Sequence, residues 1–182
     1  LYDTDICDPF TLPDMEKACE RIKSAIDEGE KITIFGDYDA DGVTSTALLY
    51  SYLSGAGANV DYYIPDRAGE GYGMNVSAIE TLKERGTKLI ITVDNGISAI
   101  EEIEKAKELK IDVVVTDHHQ AGDVLPDAVA VVDPHRKDCE MDFREWAGVG
   151  VAFKLVSALA DCDVYDLLEA YGDILAIGTI AD

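Results

Sequence analysis

The residues of this chain best able to do chemistry stand in a few short clusters: Asp37, Asp39 and Asp41 before Gly42, then Asp94, then Asp117-His118-His119, then Asp133 and His135. Three carboxylates at alternate positions repel one another and make poor neighbours for a core, so their grouping calls for a positive charge among them. Carboxylates joined by one or two imidazoles suit Mn²⁺ or Mg²⁺ better than a thiolate-preferring ion, with zinc left open.

Each cluster also has a plain structural explanation. Asp37-x-Asp39-x-Asp41-Gly42 matches the start of a calcium-binding helix–loop–helix segment, but the twelfth position is Leu48, where a bidentate Glu is required. A strand-like run also precedes it. A solvated turn accounts for one or two aspartates, Asp94-Asn95-Gly96 reads alone as a turn with a helix cap, and a single histidine is more often structural than a ligand. Their joint placement is what the plain explanations do not cover. Asp133-Pro134-His135 is the exception, where the turn is the better explanation. The glycines of 69–73 fit a phosphate cradle and an ordinary loop equally. Gly148-Val149-Gly150 at a helix start could donate N–H groups to an anion or allow close helix packing.

The elements that must hold these groups follow from periodicity. Asp14 to Glu28 places Met15, Ala18, Cys19, Ile22, Ala25 and Ile26 at helical spacing, with Thr11 or Asp14 as cap and Gly29 as stop. Strands are expected at Lys31–Phe35, Asn59–Ile64, Lys88–Val93, Asp112–Thr116 and Ala128–Val132. Between and after them, helices are expected over Val43–Leu53, Asn75–Arg85, Ser98–Leu109, Val149–Ala160 and Val164–Tyr171, with a last apolar segment through Ala181. Strands alternating with helices of about three turns imply an α/β fold, a doubly wound, mainly parallel five-stranded sheet with helices on both faces. Such sheets bind ligands at the carboxyl ends of their strands, and every cluster follows a strand. Residues distant in sequence are thereby brought to one rim.

Composition narrows the partners. The 182 residues are 47% apolar, enough for one globular domain over 1–182 that folds by its own core. Against 15 Lys plus Arg stand 37 Asp plus Glu, a net charge of −22, which argues against a basic nucleic-acid footprint or an anionic-membrane surface. An anionic substrate would need bound cations or basic surface from elsewhere. Cys7, Cys19, Cys139 and Cys162 show no C-x-x-C spacing and read as reduced thiols, which with the absence of a membrane span or signal peptide points to the cytoplasm. A start at Leu1 and a stop after an apolar run suggest a piece of a longer protein.

The motifs together resemble the DHH phosphoesterases, and within them the RecJ-type single-strand exonucleases. The resemblance rests on Gly36-Asp37-Tyr38-Asp39-Ala40-Asp41-Gly42, Ile64-Pro65-Asp66-Arg67 with Gly71-Tyr72-Gly73, Asp94-Asn95-Gly96, Asp117-His118-His119, Gly148-Val149-Gly150 and Gly178-Thr179-Ile180-Ala181-Asp182. It implies two divalent cations, usually Mn²⁺, with Asp39, Asp41, Asp94, His118 and Asp182 as ligands, Asp94 bridging both, and Asp37 as a further ligand or support. His119 would meet the scissile phosphate, Asp117 would orient the neighbouring imidazole, and Arg67, Gly148 and Gly150 are substrate-binding candidates. The family also implies a second DHH-associated domain and an OB-fold outside these residues.

Small-substrate members of the family, acting on oligoribonucleotides or cyclic dinucleotides, commonly open the first motif with a histidine. Phe35 and Asp37 offer none here, which favours the RecJ type. The expected activity is 5′-to-3′ hydrolysis of single-stranded DNA in repair and recombination, with repair proteins as candidate partners. The alternatives are a small-substrate phosphodiesterase and a non-catalytic subunit of a replication or repair assembly.

Overall fold

The computed structural model describes residues 8–66 and 73–182. Arg67, most of the glycine-rich loop and Cys7 lie outside them. A short 3-10 turn, Pro9–Thr11, leads into α1 (Met15–Asp27), β1 (Ile32–Phe35), α2 (Ala40–Gly55), β2 (Val60–Tyr63), α3 (Val76–Glu84), β3 (Leu89–Val93), α4 (Ile100–Glu108), β4 (Asp112–Thr116), β5 (Ala130–Val132), α5 (Gly148–Leu159) and α6 (Val164–Ala181).

The five strands pair in parallel in the order β2-β1-β3-β4-β5. Chain order reverses between β1 and β3, so the crevice between their carboxyl ends is the switch point of the sheet. Both faces are covered, because successive strand residues point to opposite sides. Ile32, Ile34, Leu89, Ile91, Val93, Val114 and Val132 pack with α1, α2, α5 and α6. Phe35, Ile90, Val113, Val115 and Val131 pack with α3 and α4. Thr33, a polar residue in a wholly buried strand, spends its hydroxyl on Asp61 Oδ1 at 2.6 Å and Thr87 Oγ1 at 2.8 Å.

Two boundaries differ from expectation in ways that matter for the site. Helix α2 begins at Ala40 rather than Val43, because Asp39 is its N-cap and accepts Gly42 N–H at 2.8 Å. Asp41 therefore sits in the first helical turn. Helix α6 runs unbroken across Gly172, where the sequence suggests a stop after Tyr171. With no proline present and open space around Gly172, the packing of the flanking turns outweighs the glycine's poor helix propensity.

Helix α5 is the centre of its layer, buried everywhere except Ser157. Its Lys154 is also buried, with its ammonium 4.9 Å from the Trp146 ring centre. Helix α6 packs on both α2 and α5 through Gly178, where an added Cβ would lie 2.4 Å from Thr44 Oγ1 and 2.7 Å from Val149 Cγ1. That contact carries the end of α6, and so Asp182, back to the rim.

Candidate metal centre

Four elements converge beyond the ends of β1, β3 and β4. Asp41 comes from the first turn of α2, Asp94 from the end of β3, His118 and His119 from the end of β4, and Asp182 from the end of α6. Their donor atoms form two groups, Asp94–His118–His119 and Asp41–His118–Asp182, each within 4.8 Å. His118 is common to both. Asp94, to which the family resemblance gives the bridge, belongs to one.

Asp94 is held by backbone geometry that few residues accept. Its φ is +61°, the left-handed region tolerated mainly by Gly, Asn and Asp, and Gly96 follows at +110°. Asn95 fixes this bend by donating Nδ2 to Phe35 O at 3.1 Å and to Val93 O at 2.9 Å, tying the ends of β1 and β3 together. Sequence reasoning assigned Asn95 no role beyond a turn. The Asp-Asn-Gly order itself suits a bend with positive φ at its first and third residues.

Asp41 is seated at the N-terminus of α5. Its Oδ2 accepts Gly148 N–H at 2.6 Å and its Oδ1 accepts Val149 N–H at 2.8 Å. The anion at this helix end is thus a carboxylate of the chain itself. Of the two roles open to Gly148-Val149-Gly150, anion binding and close helix packing, the N–H groups of Gly148 and Gly150 are both spent within the chain, Gly150 donating to Ala147 O at 2.9 Å. Gly148 is needed for approach instead: a Cβ there would lie 2.7 Å from Asp94 Cβ and 3.0 Å from Asp41 Oδ2. Gly150 lies against Trp146.

Asp117 is buried and accepts at every side. Its Oδ2 takes Ile97 N–H at 2.9 Å; its Oδ1 takes His118 N–H at 2.7 Å, His119 N–H at 3.2 Å and stands 2.7 Å from His119 Nδ1. The imidazole it orients is therefore that of His119, whose side chain is 46% exposed. Burial alone would raise the Asp117 pKa, but these donors hold it below the ordinary carboxylate value, and the bond to Asp117 raises that of His119.

Deeper in the rim the balance reverses. Burial pushes Asp94 up to about 7, opposed by His118, whose Nε2 lies 3.0 Å from Asp94 Oδ1 and 3.6 Å from Asp41 Oδ2. Burial disfavours charge on His118, yet its bond to Asp94 and the charges of Asp94, Asp182 and Asp41 carry it to about 9. Burial also raises Asp41, against the pull of the Val149 and Gly148 N–H groups. Protons are thus favoured where several carboxylates crowd, and a divalent cation can take their place.

The remaining aspartates of the first motif are less centrally placed. Asp39 is exposed, with one oxygen committed to the helix cap. Asp37 is fully buried; its Oδ1 accepts Tyr38 N–H at 2.5 Å, while Oδ2 has no partner among the described residues. Neither belongs to the two donor groups. Asp133 forms the expected turn, accepting His135 N–H at 2.6 Å, but it is also buried beside Asp117, which pairs its own N–H with Val132 O. Burial pushes Asp133 to about 7.

The donor set of carboxylate oxygens and imidazole nitrogens, with Asp37 Oδ2 buried and unpartnered among the described residues, fits hard or borderline divalent cations. Cys19, Cys139 and Cys162 are free thiols and belong to neither donor group. A cleft of about 870 Å³ lies between the start of α1 and residues 136–143 and includes none of these groups. No helix among the described residues is long and apolar enough to cross a membrane.

A parallel α/β sheet with an Asp- and His-lined rim at its switch point defines a domain of doubly wound class whose rim could hold divalent cations. The chain belongs to the DHH family: the model of the DHH family, N-terminal domain, matches residues 31–179. It is 53% identical over 180 residues to the single-stranded-DNA-specific exonuclease RecJ of Bacillus subtilis, covering 99% of this chain and 22% of that protein. The RecJ of Escherichia coli is 42% identical, with 94% of this chain and 32% of that protein covered. Among solved structures, an exonuclease RecJ bound to manganese superposes with a TM-score of 0.82 at 36% identity, covering 94% of this chain and 43% of that one. RecJ of Thermus thermophilus in complex with Mn²⁺ gives 0.75 at 33%, covering 94% and 24%. The chain therefore spans less than half the length of these relatives.

Proposed function

We propose that the chain is the catalytic domain of a divalent-cation-dependent phosphodiesterase that removes nucleotides from the 5′ end of single-stranded DNA, with a role in repair and recombination in the cytoplasm. The observation that carries this is the meeting of Asp41, Asp94, His118 and Asp182, from four separate elements, in two donor groups that share His118. The exonuclease names and manganese complexes of its relatives supply the substrate and the ion.

Asp41, Asp94, His118 and Asp182 hold the cations, Mn²⁺ or Mg²⁺, with Asp39 and Asp37 completing the wall. When bound, the cations act as Lewis acids that activate water and offset charge on the phosphodiester. Asp117 fixes Nδ1 of His119, which turns Nε2 toward the scissile phosphate and favours the protonated ring where negative charge develops. The Gly148 and Val149 N–H groups aim Asp41 and favour its ionised form against the effect of burial. Arg67 is a candidate for the substrate phosphates.

Two divalent cations offset only about four of the 22 excess negative charges, so most backbone affinity for DNA must come from basic surface beyond these residues. The test is cleavage of a long 5′-phosphorylated single strand against cleavage of a dinucleotide, with Mn²⁺ and with EDTA. Mn²⁺-dependent preference for the long strand is expected. Preference for the dinucleotide would make the domain a small-substrate phosphodiesterase, and no cleavage of either would leave a non-catalytic subunit.

A further inference from the structure

A strip of uncharged surface leads away from the rim along α2. Asp39, Val43, Ala47 and Tyr50 recur at intervals of four, four and three residues, which places them on one stripe of the helix. Beyond Asp39 the stripe carries no charge. Tyr62 of the edge strand β2 and Ile64 at its end face the stripe across a groove of about 300 Å³, closed below by Thr46. Tyr50 and Tyr62 meet edge to face, ring centres 5.6 Å apart and planes at 82°. They are 37% and 54% exposed, and Val43 is 43% exposed.

Exposed aromatic pairs are costly to leave uncovered, and here 29% of residues are charged with a net −22, yet none of the six residues lining this groove is ionic at neutral pH. A polyanion lying along this strip meets no charged side chain among the residues that line it. Bases, unlike phosphates, gain by lying on uncharged aromatic faces, whatever their sequence. The groove and the metal centre share α2: Asp41 stands in the first turn of this helix, and Val43, Ala47 and Tyr50 follow along it. At 1.5 Å per residue Tyr50 is about 16 Å from Asp39 along the helix, which at ~3.4 Å per stacked nucleotide is roughly five nucleotides.

We infer that the Val43–Tyr50–Tyr62 groove is a stacking platform for the bases of the single strand whose end occupies the metal centre. The inference rests on the single-strand phosphodiesterase proposal and adds the path of the strand. Tyr62 is the main contact, Tyr50 buttresses it edge-on, and Val43 and Ala47 form an apolar floor. No base-specific hydrogen bond is required, so the platform does not select sequence.

The test is equilibrium binding, read by fluorescence anisotropy with Mn²⁺ present, of two cleavage-resistant phosphorothioate strands of equal length and charge. One is oligodeoxythymidylate; the other carries abasic sites at its first five nucleotides. The chain should bind the base-bearing strand at least about fivefold tighter. Tyr62→Ala should erase that difference and leave affinity for the abasic strand unchanged, Tyr50→Ala should reduce it, and Tyr62→Trp should restore it. Because Tyr62 is more than half exposed, unchanged melting of the alanine variant will confirm its fold. A preference that persists in both alanine variants overturns the platform alone. So does a preference left intact in Tyr62→Ala alone, since Tyr62 is the main contact. Equal binding of the two strands by the unaltered chain overturns the platform and leaves the single-strand proposal to the cleavage assay, which tests it separately.

Discussion

Gly148 donates its backbone N–H to Asp41 Oδ2 at 2.6 Å, joining the first turn of α2 to the N-terminus of α5 across 107 residues of chain. The bond places a helix end against a carboxylate of the metal centre, and only a residue without a side chain can make it. Gly148→Ala would set a Cβ 2.7 Å from Asp94 Cβ and 2.8 Å from Asp94 Oδ1. The expected result is a loss of about 1–3 kcal/mol in stability and weaker Mn²⁺ binding, measured by thermal unfolding and calorimetric titration.

Gly178 makes a prediction of the same kind at a distance. An alanine there would press on Thr44 Oγ1 and on the buried Val149, lifting the last turn of α6 and Asp182 with it. Gly178→Ala should weaken Mn²⁺ binding without altering a ligand. Gly172→Ala in the same helix meets nothing within 4 Å and should stabilise the chain by about 0.5–1 kcal/mol. Equal effects of the two substitutions on Mn²⁺ affinity would contradict this role of α6.

Asp117 belongs to neither donor group, so its removal should separate orientation from metal binding. Asp117→Asn leaves Ile97 N–H or the His119 ring facing an amide N–H₂ group. A cost of about 2–4 kcal/mol in unfolding free energy is expected. Cleavage should fall while Mn²⁺ stoichiometry stays at the wild-type value. Loss of a bound ion would instead make Asp117 a ligand.

The crowded rim also fixes a pH dependence. Both Asp94, raised from 3.8 to about 7, and His118, raised from 6.5 to about 9, bind protons more tightly in the folded chain than in the unfolded one. A raised folded pKa gives stability that is present at low pH and lost as pH rises through the folded value. The metal-free chain should therefore melt at lower temperature at pH 9 than at pH 6. Mn²⁺ competes with those same protons, so its affinity should rise over this range, by up to about tenfold per pH unit for each proton released. Melting and Mn²⁺ affinity that are flat from pH 6 to 9 would refute the shared-proton account.

Much of the fold and most of the centre could be read from residue order, since apolar runs ending in acids or histidines mark strands feeding one rim. Asp41, Asp94, His118, His119 and Asp182 were all legible in this way or through family resemblance, and the structure brings them together. What was not legible depends on contacts distant in sequence. Nothing local to Gly148 reveals that Asp41 will take its N–H, and nothing local to Gly178 reveals Thr44 and Val149 beside it. The start of α2 at Ala40 was hidden because Asp39 suits a cap and a ligand equally. Helix α6 continues through Gly172 because the propensity cost of one glycine is smaller than the packing of the turns around it.

The most direct test of the central claim is Mn²⁺-dependent release of nucleotides from a 5′-phosphorylated single strand by Asp94→Asn, compared with the unaltered chain. Asparagine accepts the left-handed backbone at φ +61° and keeps the size of the side chain while removing its charge. The dinuclear account predicts that release falls to background with the fold intact. Turnover equal to that of the unaltered chain would contradict it.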